Sequence, residues 1–179
     1  MANSAPASIL EVRRLDAVGE SQLQALADVL VDCVEGGASV SFMLPLTRDK
    51  ALAFWRKVAD GAARGERVLL VAEDADGIVG TVQVILEQPE NQPHRADVAK
   101  MLVHRRARRR GVGEALMRAA ESEAAREGKT LLVLDTADDT AARLYTRVGW
   151  QRAGTIPRYA LLPAGGECAT TYFYRSLAA

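Results

Sequence analysis

The stretch Arg108-Arg109-Arg110-Gly111-Val112-Gly113 lies between an apolar strand candidate, Arg95–His104, and a long amphipathic helix candidate, Gly111–Glu127. No other segment constrains the fold as much. A strand that runs through glycines into a helix leaves the first N–H groups of that helix without internal acceptors. Those groups, with the helix dipole behind them and arginines beside them, form an anion site suited to phosphate. The plainer reading is a solvated basic turn in an ordinary connection.

Spacing separates the phosphate loops that such a turn could be. A dinucleotide fingerprint requires G-x-G-x-x-G, but Leu116 stands at the third glycine position. A P-loop requires Lys and then Ser or Thr after its last glycine, and Gly113 is followed by Glu114-Ala115. What the chain does present is R-x-x-G-x-G, with Arg108, Gly111 and Gly113 in the named positions. Lys plus Arg and Asp plus Glu are equal at 23 each, so the basic run is a local feature. It therefore suits a phosphate-bearing small molecule better than nucleic acid or an anionic membrane.

The remaining composition sets bounds. A chain of 179 residues suits one domain, expected over 9–179 behind a disordered lead over 1–8. Cys33 and Cys168 have no metal-ligand spacing, so both read as thiols and no metal is expected. The first residues lack a basic region followed by an apolar one, and no apolar run approaches the roughly 18 residues of a membrane span. A cytoplasmic protein is the expectation.

Periodicity and turn signals order the elements. Ile9–Arg14 reads as a strand, and Ser21–Glu35 as a helix with Leu23, Leu26, Ala27 and Leu30 on one face, stopped by Gly36-Gly37. Thr47 is the N-cap candidate of a second helix that carries Leu52, Trp55 and Val58 and ends near Gly61–Gly65. Arg67–Glu73 and Gly80–Leu86 read as a hairpin closed by Ala75-Asp76-Gly77. After the glycine loop and its helix, Leu131–Asp135 reads as a strand buried on both faces. Thr140–Val148 reads as a short helix, and Trp150–Ile156 with Thr170–Ser176 as a last hairpin.

The R-x-x-G-x-G string resembles the pyrophosphate loop of the GNAT superfamily, the acyl-CoA-dependent N-acyltransferases. The element order β-α-α-β-β-β-α-β-α-β-β resembles the GNAT order over nearly the whole chain. Ala141 to Trp150, read as A-x-x-L-Y-x-x-x-G-W, resembles the second signature of that superfamily. The resemblance implies a mixed α/β (α+β) fold with a central twisted sheet of six to seven strands and helices on both faces. It implies acetyl-CoA as cosubstrate, held by the glycine loop (Arg108, Arg109, Arg110, Gly111, Val112 and Gly113). An irregularity in the preceding strand would free N–H groups along the acetyl and pantetheine arm at Met101, Leu102 and Val103.

For acyl transfer to an amine, a donor must stabilise the oxyanion, an acid must protonate the leaving thiolate, and a base must take the amine proton. The resemblance assigns the acid role to Tyr145, whose structural alternative is a core aromatic on a short helix. Asp97 and Asp135 are the carboxylates placed to take the proton; the alternative makes them strand-end acids paired with Arg95 or Lys100. Strand alternation predicts that Asp97, Ala99 and Met101 share one face and that Lys100 takes the other.

Gly36–Met43, Arg95-Ala96-Asp97-Val98 and Leu134-Asp135-Thr136 resemble the tabtoxin-resistance acetyltransferases within that superfamily. That resemblance makes Asp97 and Asp135 the proton-handling pair and puts Gly37, Ser39 and Phe42 beside the acceptor. The expected reaction is acetylation of a primary amine on a small amino-acid-like molecule, including an antibiotic or toxin. Expected partners are that amine, with no nucleic acid and no membrane, and a monomer or homodimer. A protein N-terminal or lysine acetyltransferase, and a non-catalytic acyl-CoA-sensing module, remain the alternatives.

Overall fold

The computed structural model describes residues 10–177. The lead expected over 1–8, and Ile9 of the first strand, lie outside the described residues.

The elements follow the expected order. They are β1 (Glu11–Arg14), α1 (Glu20–Glu35), α2 (Arg48–Ala63), β2 (Arg67–Asp74), β3 (Gly77–Ile85) and β4 (Arg95–Val103). After a 3-10 turn at Arg105–Ala107 come α3 (Val112–Arg126), β5 (Leu131–Thr136), α4 (Asp139–Arg147), β6 (Gln151–Leu161) and β7 (Glu167–Ser176). One seven-stranded sheet runs β1-β2-β3-β4-β5-β7-β6. Every neighbouring pair is antiparallel except β4 and β5, which run parallel.

Helices cover both faces, and strand alternation decides which residue meets which helix. Val68, Leu70 and Ala72 of β2 face a core with Leu116, Met117 and Ala120 of α3 and with Tyr145 of α4. Their neighbours Leu69 and Val71 face Leu26, Leu30 and Trp55 of α1 and α2. Trp55 is fully buried there, and its truncation to alanine would cost about 3–5 kcal/mol.

Local signals place the helix ends. Thr47 caps α2 by accepting from the Lys50 N–H at 3.3 Å. Gly37 leaves α1 at φ +92°, a turn that favours glycine. Helix α2 ends at Ala63, within the expected Gly61–Gly65 stretch. Gly61 is inside it because the Arg67 side chain crosses there, with Nε 2.7 Å from where a Cβ would stand.

Strand β5 departs from the doubly buried strand that its apolar run predicted. Leu132 and Leu134 are buried against α3 and α4, while Val133 is half-buried and Asp135 is exposed. No helix packs over the second face of β5 in either buried core, so that face opens into a cleft.

Candidate active site

The cleft begins where β4 and β5 part. Their parallel pairing covers Arg95–Asp97 against Leu131–Val133 and then ceases. From Val98 onward the β5-facing edge of β4 has no strand partner among the described residues. On its other edge, β4 stays paired to β3, but Thr81 pairs with Leu102 and Gln83 with Ala99, so two residues of β4 oppose one of β3. This is a bulge at Lys100–Met101, with Lys100 at φ +52°.

The bulge overturns the predicted alternation. Met101 packs toward the α3 core, beside Gly113. Lys100 turns to the α1–α2 side, where its Nζ donates to Ser41 Oγ at 3.1 Å and lies 5.8 Å from the Phe54 ring centroid. An inserted residue shifts every later side chain by one position. Leu102 joins the α1–α2 core, and Val103 packs on the opposite one.

Beyond β4 the chain enters the glycine loop. Arg109 at φ +61° and Gly111 at φ +79° supply the left-handed steps that turn the backbone into α3. The Ala115 N–H bonds the Gly111 carbonyl at 3.0 Å, leaving the N–H groups of Val112, Gly113 and Glu114 ahead of it without helical acceptors. A Cβ on Gly113 would lie 2.9 Å from Leu144 Cδ2, so a larger residue would wedge α3 from α4 at the cleft mouth.

The arginine run divides by partner. Arg105 bonds Asp32 through its backbone N–H and its guanidinium. Arg106 and Arg110 converge on Asp74, whose side chain is only 3% exposed. Arg108 folds back, donating from Nε to the Val103 carbonyl at 3.2 Å. Arg109 is exposed and has no ion-pair partner among the described residues.

Tyr145 lies on α4, 5% exposed, edge-on to Phe173 at 5.7 Å and 6.2 Å from the Trp150 ring. Burial pushes its phenol well above the ordinary tyrosine range, and the negative charges of Asp138 and Asp135 push it further. Its hydroxyl has no hydrogen-bond partner among the described residues. Asp138 caps α4, accepting from the Thr140 N–H at 2.7 Å.

Asp135 is on the open face of β5, where the buried Thr170 donates to Oδ2 at 2.7 Å. It helps line a cleft of about 430 Å³ together with Ser39, Ser41, Phe42, Tyr159 and Leu161. The Gly36–Met43 segment forms one wall because it is tied to the β6–β7 hairpin. Ser39 Oγ donates to the Leu161 carbonyl at 3.2 Å, and Leu44 N–H to the Pro163 carbonyl at 2.9 Å.

Gly37 and Asp97 are not among the residues that line this cleft. Gly37 serves the turn after α1. Asp97 has both oxygens engaged, Oδ1 with Arg95 and Oδ2 with Gln88 Nε2 at 3.0 Å. Lys100, Ser41, Thr170 and the Tyr159–Tyr172 pair, whose hydroxyls are 2.9 Å apart, were not picked out from the sequence. Lys100 is brought here by the bulge, Thr170 and the tyrosine pair by the hairpin register, and Ser41 by the docking of the α1–α2 connection on that hairpin, none of which a local pattern reveals.

Residues 65–152 match the family described as the acetyltransferase (GNAT) domain. The chain is similar in structure to an N-acetyltransferase from Staphylococcus aureus Mu50, at 17% identity and TM-score 0.79, over 96% of this chain and 100% of that one. A GCN5-related N-acetyltransferase from Kribbella flavida is 25% identical, with TM-score 0.76 over 94% of this chain and 98% of that one. A Salmonella typhimurium protein provisionally described as an acetyltransferase, and solved with its cofactor acetyl-CoA, is 18% identical. Its TM-score is 0.77, over 94% of each chain. The fold is that of the GNAT acetyltransferases, and the segment from just after α2 into β6 carries their domain signature.

Proposed function

We propose that this chain transfers an acetyl group from acetyl-CoA to the primary amine of a small, amino-acid-like molecule. The observation that carries the reading is the parting of β4 from β5 directly before a helix N-terminus with unpartnered N–H groups. A narrow slot with amide donors along one wall and an anion site at its mouth fits a pantetheine arm ending in a pyrophosphate.

When bound, acetyl-CoA supplies a thioester carbonyl for the amine to attack and a thiol to leave. The N–H groups of Val112, Gly113 and Glu114, with Arg109 beside them, hold the pyrophosphate. The unpaired edge of β4 around Met101, Leu102 and Val103 offers amide donors to the arm and the acetyl oxygen. Tyr145 gives its proton to the sulfur. Its raised pKa keeps the phenol protonated through the working range, so the acid form is always present.

Asp135 takes the amine proton, directly or through water. One oxygen is fixed by Thr170, and the carboxylate borders the cleft that the acceptor would enter. Asp97 instead fixes Arg95 and Gln88 below the parting of the strands. The tabtoxin-resistance-like reading, in which the acceptor is an antibiotic or toxin, fits the same cleft between the Gly36–Met43 segment and the hairpin.

A thiol-release assay with acetyl-CoA tests the reading against amino acids, aminoglycosides, polyamines and peptides. Release that depends on an amine is the expected result. Acetyl-CoA binding with no release for any amine would replace it with the sensing module.

A further inference from the structure

Lys100 takes no part in the chemistry above, yet its placement is unusual. It occupies the left-handed step of the β4 bulge, a conformation that side chains other than glycine rarely adopt. Such strain is kept where the surrounding structure needs the side chain that it aims. Here the long ammonium arm is sent from the strand to the cleft wall formed by Ser41.

The amine has three N–H donors, and among the described residues only Ser41 Oγ accepts one. Among the described residues no carboxylate lies within ion-pair distance of it, while Phe54 occupies one side. Partial burial pushes its pKa down, and the negative charge of Asp135 opposes that shift. Asp135 has its own oxygen Oδ1 without a hydrogen-bond partner among the described residues. A half-satisfied cation thus adjoins Ser41 on one wall of the cleft, and a half-satisfied anion, Asp135, lines the cleft itself.

We propose that Lys100 is the specificity residue of the acceptor site, binding the carboxylate of a zwitterionic acceptor whose amine is directed toward Asp135. A free α-amino acid or a close analogue supplies both charges. A peptide N-terminus supplies only the amine and leaves the ammonium of Lys100 unmatched, a cost that discriminates by charge pairing. The assignment rests on the acetyl-transfer reading for its chemistry but has a binding readout of its own.

The test compares L-alanine, L-threonine and L-lysine, each beside its carboxamide, as acceptors for the wild type, Lys100→Met, Lys100→Gln and Lys100→Arg. Tm and acetyl-CoA affinity identify any variant that has lost its fold. The wild type is expected to favour at least one acid over its amide by tenfold or more in kcat/KM. Lys100→Met and Lys100→Gln bring that ratio to within about twofold of unity, and Lys100→Arg recovers part of it. A wild type without preference for the acid, or neutral variants that lower acid and amide equally, overturns the assignment. If the wild type acetylates none of the six but does acetylate another amine of the panel above, the assignment is overturned; if no amine is acetylated, the acetyl-transfer reading is what fails. Calorimetric binding of the same acids to the wild type and Lys100→Met then decides the role of Lys100, with equal affinities ruling it out.

Discussion

The two sides of the cleft are built by different means. The side made by the end of β4, the glycine loop and α3 is continuous in sequence, and backbone groups do its work. Its donors are N–H groups that any residue would supply, and glycines enter where the turn or the neighbouring Leu144 requires them. The opposite side is assembled from three separated stretches, Ser39–Met43, the end of β5 at Asp135 and the β6–β7 hairpin, with Lys100 reaching it through Ser41. Side chains do the work there, and each reaches the cleft through a tertiary contact. A shared cofactor can be held by backbone geometry, whereas the choice of acceptor requires particular side chains at particular distances.

The comparison can be broken most sharply at Tyr145, the proposed acid. Tyr145→Phe is expected to lower turnover by about 10²–10⁴-fold, the usual range for a lost general acid. Acetyl-CoA affinity, measured calorimetrically, should stay within about twofold. A loss of affinity equal to the loss of turnover would make Tyr145 a core aromatic instead.

The acids come next in size. Asp135→Asn is expected to lower kcat/KM by about 10²-fold. Asp97→Asn disturbs a partly exposed pair worth about 0–1 kcal/mol and should cost less than about fivefold. Steady-state kinetics on the two variants decide between them, and the reverse order would move the base to Asp97.

On the cofactor side the expected effects are smaller. Arg109→Ala should weaken acetyl-CoA binding by about tenfold at low salt, with the difference shrinking as ionic strength rises. Arg110→Ala should show first as a lower Tm, because it removes one of the two arginines that pair with Asp74 and tie the loop to β2. Equal effects of the two variants on affinity would show that the arginines act as one diffuse charge.

The smallest effect is on stability. The folded protein holds the Tyr145 proton more tightly than the unfolded chain, so the folded state binds more protons above the ordinary phenol range. Its contribution is complete below about pH 10 and declines above it, by up to about 1.4 kcal/mol per pH unit. Tyr145→Phe should flatten that alkaline decline in urea titrations. An unchanged slope would assign the decline to the other tyrosines.

The helices and strands were legible because their signals are local. Apolar spacing, the Thr47 cap and the Asp76-Gly77 turn act over a few residues, and the observed elements follow them closely. The bulge was anticipated only as an irregularity near Met101, without its position or its effect on Lys100. Nothing in Ala99-Lys100-Met101 announces a register shift, since the shift is set by how β4 meets β3. The long apolar run of β5 suggested burial on both faces, but only the tertiary arrangement decided that one face would be left open.

By itself, then, the sequence determined the order of elements, the two cores and the glycine turn before α3, because spacing along the chain dictates each of them. The tertiary structure decided which charges confront one another. Register shifts and hairpin docking put Lys100, Ser41, Asp135 and Thr170 around one cleft, although 129 residues separate Ser41 from Thr170. They also set Arg109 apart from the arginines on either side of it. Charge pairing depends on distance through space, and only the folded chain defines that distance.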